Sequence, residues 1–202
     1  MMKRIVLRVL GVACGISIAA AAQPQTTSAA PAKKPNGDAA KIQRAMAAGP
    51  SDISKNAAVI EVDVKGTMHE LRKGTNGWTC MLMATGPSTS EAMCGDKAWT
   101  DWGDAYMAKK PPTMKTFGVA YMLRGDNGAS NTDPFAAGPT AGNDWVVSPA
   151  HLMLLVPDSK LLDGVPTDPH AGGPFVMWKG TPYAHVMVPI APMTASKSTT
   201  KK

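Results

Sequence analysis

The chain has 202 residues and a formal net charge of +6, from 21 Lys and Arg against 15 Asp and Glu. The excess of positive charge lies at the two ends of the chain, because residues 41–192 carry 13 Lys and Arg against 14 Asp and Glu. A nucleic-acid-binding protein presents a basic face on its folded part, so we expect no nucleic-acid partner.

The first 22 residues contain the three parts of a secretory signal peptide. Such a peptide has a positive start, a short apolar stretch and a cleavage site between small residues. Three basic side chains come first here, and the charge-free stretch from Val9 to Ala22 follows. That stretch is shorter than the roughly 18 residues that a membrane-spanning helix needs. We therefore predict a signal peptide over residues 1–22, cleavage before Gln23, export to the periplasm or the extracellular space, and no transmembrane anchor.

Cys14 lies inside this leader and leaves a second interpretation open. In a lipoprotein, a lipidated cysteine becomes the first residue of the mature chain. The surroundings favour cleavage after Ala22, because Gly11 stands where a Leu is usual in lipoproteins and apolar sequence continues beyond the cysteine. Lipidation at Cys14 remains the alternative.

Composition divides the rest of the chain into three segments. Residues 23–37 and 193–202 are rich in Ala, Pro, Thr, Ser and Lys, with almost no large apolar side chains. Such segments cannot bury enough surface to offset the entropy that is lost on ordering. We predict a disordered linker over residues 23–37, a single globular domain over residues 38–192, and a disordered basic tail over residues 193–202.

The first half of the domain shows both helical and strand periodicity. Asp38 can cap a short amphipathic helix that ends at Gly49-Pro50. Alternating apolar residues predict strands at residues 58–64, 68–71 and 78–83. Residues 91–110 carry Trp, Ala and Tyr at intervals of three and four, which predicts the strongest helix of the protein.

The second half consists of short apolar runs between turns. These runs predict strands at residues 117–123, 145–147, 151–156, 175–178 and 185–190. Residues 124–144 form a polar segment that is too long for a simple connection. Without a regular alternation of strand and helix, the pattern predicts an α+β fold with a mainly antiparallel sheet of about six or seven strands and two helices.

Two cysteines, Cys80 and Cys94, remain once the leader is removed. Exported proteins reside where thiols are oxidised, and the spacing of 14 residues matches neither a redox CxxC pair nor a complete zinc site. We predict a disulfide between them, which would tie the start of the helix over residues 91–110 to the third strand. Closing a loop of this length stabilises a fold by about 3 kcal/mol.

Two predicted strands share the local pattern His-x-Met: His151 with Met153, and His185 with Met187. Residues two apart on a strand point to the same face, so each strand offers an imidazole beside a thioether. Thioether and imidazole donors suit copper, Cu(I) in particular. If the strands are neighbours, these four side chains would converge on one metal ion. In the alternative, methionine fills gaps in an apolar core and the histidines are buried without a ligand.

An enzymatic interpretation uses the polar loop at residues 125–144 and a nearby histidine. The available hydroxyls are those of Ser130, Thr132 and Ser148, and the available partners are Asp133, Asp144 and His151. A hydrolase triad needs a nucleophile, a base and an acid within reach of one another. None of these residues has diagnostic spacing, so their clustering in one cleft would be required.

Aromatic residues suggest a ligand pocket. Trp99, Trp102 and Tyr106 lie on one face of the predicted helix, which first of all indicates a core face. Because five Trp accompany only three Phe, a pocket with walls formed by Trp78, Trp145 or Trp178 is a further possibility.

Three stretches resemble segments of small exported bacterial proteins of unassigned function. They are Gly77 to Cys80, Ala129 to Phe135 and Gly180 to Pro189. The resemblance extends over most of the folded part and implies bacterial export. It implies no chemistry, so no functional residue is carried over from it.

The sequence thus supports three hypotheses for the domain. The first is an exported binding module that holds copper or a small ligand through the two His-x-Met strands. The second is a secreted hydrolase-like enzyme, and the third is a structural or envelope-interaction protein without a site.

Overall fold

The computed structural model describes residues 37–84 and 90–193. The predicted signal peptide, Cys14, nearly all of the predicted linker and residues 194–202 of the predicted tail lie outside these ranges. The expectations for those segments therefore stay predictions.

Helices are few and short in the described residues. They are α1 (Asp38–Met46), α2 (Ser51–Ser54), α3 (Lys97–Met107) and one 3-10 helix (Ser159–Leu162). None of the helices in these ranges has the length and apolar character to cross a membrane.

Ten strands account for most of the regular structure in the described ranges. The first five are β1 (Ala58–Val62), β2 (Met68–Arg72), β3 (Thr79–Ala84), β4 (Ser90–Gly95) and β5 (Gly118–Met122). The others are β6 (Ala129–Ser130), β7 (Trp145–Val146), β8 (His151–Leu155), β9 (Phe175–Met177) and β10 (His185–Pro189).

Eight of these strands form one sheet in the order β2-β1-β3-β4-β5-β8-β10-β9, and β6 pairs with β7 in a separate ribbon. Neighbours in the large sheet are antiparallel except β1 and β3, which are parallel. The predicted α+β class with a mainly antiparallel sheet is confirmed. The predicted numbers of strands and helices are too low, in part because β6 and α2 are too short to show a period and because β4 was assigned to a helix.

The helix predicted over residues 91–110 is wrong at its beginning, where the chain forms β4. The helix α3 starts only at Lys97, after Asp96, whose carboxylate accepts a hydrogen bond from the backbone N–H of Trp99 (3.0 Å) and caps the first turn. Ala92, Met93 and Cys94 are all buried. Because both faces of β4 are covered, its residues lack the polar alternation that distinguishes a strand from a helix.

The predicted disulfide is confirmed: Cys80 and Cys94 are joined with an S–S distance of 2.05 Å. They are direct partners in the β3–β4 pair, so the bond links two strands and not a strand and a helix as predicted. On this face of the sheet, Ala45 of α1 and Ala48 of the turn after it pack in the same buried cluster as the disulfide.

Gly49 is required where the chain leaves α1 and passes over the disulfide. A Cβ at this position would lie 2.9 Å from both Cβ and Sγ of Cys94. Any larger residue would therefore push the chain away from the disulfide or distort it.

The opposite face of the sheet packs against α3 and the polar loop. Its buried cluster combines Trp99 and Trp102 of α3 with methionines from several strands, including Met93, Met153 and Met187. This second core contains the two His-x-Met strands, so it is the part of the fold that bears on function.

Ser130 holds the polar loop in place from the inside. Its hydroxyl donates to the carbonyl of Asn143 (2.6 Å) and accepts from the backbone N–H groups of Thr132 (3.2 Å) and Asp133 (2.8 Å). The backbone carbonyl of Ser130 accepts a hydrogen bond from Nε1 of Trp178 (2.6 Å). These bonds fix the loop against the end of β9.

Candidate functional site

The two His-x-Met strands are neighbours in the sheet. β8 and β10 run antiparallel, and Met153 lies directly opposite Met187. Direct partners project to the same face of a sheet, and so do residues two positions apart. His151, Met153, His185 and Met187 therefore share one face, as a shared site would require.

The antiparallel direction nevertheless separates the two imidazoles. His151 lies opposite Pro189, whereas His185 lies one position beyond the pair Val186–Leu154. The two histidines are thus four positions apart along the ladder, or about 13 Å at roughly 3.3 Å per residue. The register brings the two methionines together and leaves the histidines at opposite ends.

Each imidazole has a methionine from a different strand as its direct neighbour. In the β5–β8 pair, His151 lies opposite Met122. In the β9–β10 pair, His185 lies opposite Met177. The local sequence pattern does not place these two methionines in the site, because the order of strands in a sheet cannot be inferred from alternation within each strand.

These side chains line a cavity of about 310 Å³ between the sheet, α3 and the polar loop. Nine of the chain's 14 methionines line it: Met68, Met81, Met83, Met93, Met107, Met122, Met153, Met177 and Met187. Its aromatic walls are Trp99, Trp102, Tyr106, Trp145 and Trp178. We refer to this space as the methionine cavity. Of the tryptophans considered for a pocket, Trp78 alone is elsewhere, packed beside the disulfide cluster.

His151 lines the methionine cavity and has one ring nitrogen without a proton. The side chain is fully buried, and its Nδ1 lies 2.6 Å from the carbonyl oxygen of Pro149. A carbonyl only accepts, so Nδ1 carries the proton and donates it, which leaves the lone pair on Nε2. This Nε2 is buried and has no hydrogen-bond partner among the described residues. Burial lowers the pKa of His151, which favours the neutral imidazole.

His185 is held in the same way at the other end of the ladder. Its Nδ1 donates to the carbonyl of Tyr183 (3.0 Å), so the lone pair is again on Nε2. Three indole rings surround the imidazole edge to face, with centroid distances of 4.9 Å for Trp178, 5.7 Å for Trp99 and 5.9 Å for Trp102. Burial among these rings lowers the pKa of His185 to about 4, so the imidazole is neutral at physiological pH.

Carboxylates are present at the edge of the methionine cavity but are used by the backbone. Asp126 accepts hydrogen bonds from the N–H groups of Ser148 (2.7 Å) and Gly128 (3.0 Å). Glu91 accepts from the N–H of Asn127 (2.6 Å). Burial raises the pKa of both carboxyl groups. In the β5–β8 and β9–β10 registers, the direct neighbours of the two imidazoles are methionine side chains.

The residues of the enzymatic interpretation are divided between two cavities. Asp133 and His151 line the methionine cavity, whereas Asp144 lines a separate polar cavity of about 510 Å³ together with His170. The hydroxyl of Ser148 is buried and has no partner in the described part of the chain. His151 donates to a backbone carbonyl where a triad would have a carboxylate. The arrangement thus offers less support to a hydrolase than to a binding site.

No family model, curated protein or solved structure matches the chain. Within residues 37–84 and 90–193, no group of three or more His, Cys, Asp or Glu is placed to hold a metal ion. Zinc and calcium sites use such ligands, whereas Cu(I) also takes thioether sulfur.

Proposed function

We propose that this chain is an exported, non-catalytic binding protein that holds Cu(I) in the methionine cavity. The observation that carries the proposal is the buried Nε2 of His151, which has a free lone pair and no hydrogen-bond partner among the described residues. Leaving a polar atom buried without a partner costs about 1–3 kcal/mol. A metal ion bound at this nitrogen would remove that cost.

Cu(I) is the ion that these donors suit best. Soft thioether and imidazole ligands select Cu(I) over Mg²⁺, Ca²⁺ and other hard cations. In both histidines the other ring nitrogen, Nδ1, donates a hydrogen bond to a backbone carbonyl. Metal-binding histidines in proteins are commonly oriented by such a hydrogen bond from the nitrogen that does not bind the metal. The desolvation free energy of moving an ion into an apolar cavity is also smaller for a singly charged ion than for a divalent ion.

Packing alone accounts poorly for the number of methionines in this cavity. Methionine is a flexible residue that fills irregular gaps in a core. Here nine methionines surround a space of about 310 Å³ that they do not fill. Such a space also has the size of a site for a small organic ligand, which is the second candidate for the same cavity.

Export is the other part of the proposal. The leader over residues 1–22 and the disulfide between Cys80 and Cys94 support it, because disulfides persist in oxidising compartments. The resemblance to small exported bacterial proteins points the same way. Expression of the full chain in a bacterial host should release a protein that begins at Gln23, as read by mass spectrometry of the periplasmic fraction. Retention of residues 1–22 in the cytoplasm, with reduced cysteines, would contradict export.

Copper binding is tested by competition against a chromogenic Cu(I) chelator under anaerobic conditions, with the protein recovered from the periplasm. We expect the double variant His151→Ala/His185→Ala to lose affinity by roughly 10- to 100-fold or more, the range seen when even an outer contact to a metal ligand is removed. The matched control is His69→Ala/His170→Ala, in which both side chains are exposed.

Three outcomes separate the possibilities. Loss of affinity in the first double variant with retention in the control supports the proposal. Absence of Cu(I) binding by the unmodified protein overturns it. If the protein takes up no copper but its tryptophan emission responds to indole, the cavity is a site for a small organic ligand instead.

A further inference from the structure

The two histidines occupy equivalent positions relative to methionines. His151 lies opposite Met122 on the neighbouring strand and two positions before Met153 on its own strand. His185 lies opposite Met177 and two positions before Met187. The same arrangement of one nitrogen and two sulfur atoms thus occurs twice on one face of the sheet.

The dimensions of a sheet allow each group to act as a unit. Directly opposed Cβ atoms are about 4.5–5.5 Å apart, and positions i and i+2 are separated by roughly 6.6 Å along the strand. The methionine side chain has three rotatable bonds, so its sulfur can move towards an imidazole at either distance. One histidine and two methionines are therefore within reach of a single ion at each end.

The same dimensions favour separate ions over a single ion shared by both histidines. Bonds from a metal ion to ring nitrogen are near 2 Å, whereas the backbones of the two histidines are about 13 Å apart along the ladder. The direct pair of Met153 and Met187 stands between them.

On the basis of the function proposed above, we propose that the methionine cavity contains two separate Cu(I) sites. Site A consists of His151, Met122 and Met153. Site B consists of His185, Met177 and Met187. Met122 and Met177 are then ligands, and each chain binds two ions.

The sites differ in their surroundings, which makes them distinguishable. Site B is enclosed by the rings of Trp99, Trp102 and Trp178. Site A lies towards Asp126, whose charge interacts with His151. An ion in site B should therefore change tryptophan emission more than an ion in site A.

The experiment is a titration of the periplasmic protein with Cu(I), with ascorbate present and oxygen excluded. Methionine methyl groups are labelled with carbon-13, and each methyl resonance reports whether its own sulfur binds metal. We expect saturation at two ions per chain. The methyl resonances of Met122 and Met153 should shift as one set, and those of Met177 and Met187 as another.

Conservative variants assign the ligands. Met122→Leu should remove one ion and leave the methyl shifts of site B and the emission change in place. Met177→Leu should remove the other ion together with most of the emission change. Met46→Leu, at the end of α1 on the opposite face of the sheet, is the control and should keep both ions. The dispersion of the remaining methyl resonances verifies that each variant is folded.

The alternatives give different results. If the protein binds one ion, or if the two variants weaken the same ion, the two-site arrangement is overturned while copper binding itself stands. If both leucine variants still bind two ions with unchanged affinity, Met122 and Met177 are not ligands. If the unmodified protein binds no Cu(I), the proposed function fails as well.

Discussion

Met153 lies directly opposite Met187 at the centre of the β8–β10 pair. This contact joins the two His-x-Met strands and at the same time keeps their imidazoles at opposite ends of the ladder. Chemistry at this face of the sheet therefore depends on strand direction as much as on the residues themselves.

The stability of the metal-free protein should depend on His185. Its pKa in the folded state, about 4, lies below the ordinary value of 6.5, so the unfolded chain binds the extra proton first as the pH falls. The neutral imidazole thus favours folding above pH 6.5, and this contribution is lost between pH 6.5 and 4. The loss amounts to about 3 kcal/mol, since each pKa unit corresponds to about 1.4 kcal/mol.

This dependence is measured as the difference in unfolding free energy between the protein and His185→Gln in urea at several pH values. The raised pKa values of Glu91 and Asp126 favour the folded state as the pH falls, which is opposite to the effect of His185. Both carboxyl groups are present in the variant as well, so their contributions cancel when the two unfolding free energies are subtracted. His170→Gln, at an exposed position, controls for the loss of an imidazole. A difference that does not vary with pH would contradict the expected burial of His185.

Removing the disulfide should destabilise the fold. Cys80→Ala/Cys94→Ala opens a loop whose closure contributes about 3 kcal/mol, and it also removes two buried side chains beneath α1. The measurement is the urea midpoint of the double variant against that of the oxidised protein. An unchanged midpoint would show that the cross-link contributes nothing to the folded state.

Two glycines should respond to alanine in opposite directions. Gly49→Ala places a Cβ 2.9 Å from the disulfide and should destabilise the protein by about 1–3 kcal/mol, as overpacking does. Gly103 lies within α3, and a Cβ there would meet nothing within 4 Å. Gly103→Ala should therefore stabilise the helix by roughly 0.5–1 kcal/mol. Thermal unfolding of both variants checks the pair, and shifts of the same sign would refute the contrast.

Ser130→Ala should loosen the polar loop. The carbonyl of Asn143 and the N–H of Asp133 would lose their partner, at a cost of about 1–3 kcal/mol for buried polar groups. Hydrogen exchange should quicken at the amides of residues 131–136 and not in β8 or β10. Ser159→Ala, at an exposed position, is the control. If exchange in the loop is unaffected, the hydroxyl does not hold it.

Local pattern predicted several elements of this fold correctly. Alternation identified β8 and β10 and the shared face of each His-x-Met pair, and the number of cysteines identified the disulfide. It failed at β4, because a strand that is buried on both faces has no polar period. It also could not find Met122 and Met177 as neighbours of the histidines, since pairing between strands depends on the path of the whole chain.

The sequence alone determined the leader pattern and the cysteine pair, because both depend on composition. It also determined on which side of each strand the nitrogen and sulfur atoms lie, because side chains alternate along the backbone. Only the tertiary structure decided which strands are neighbours and in which direction they run. Contacts between residues far apart in the chain determine that choice. They placed the two histidines apart, each beside a methionine from a different strand.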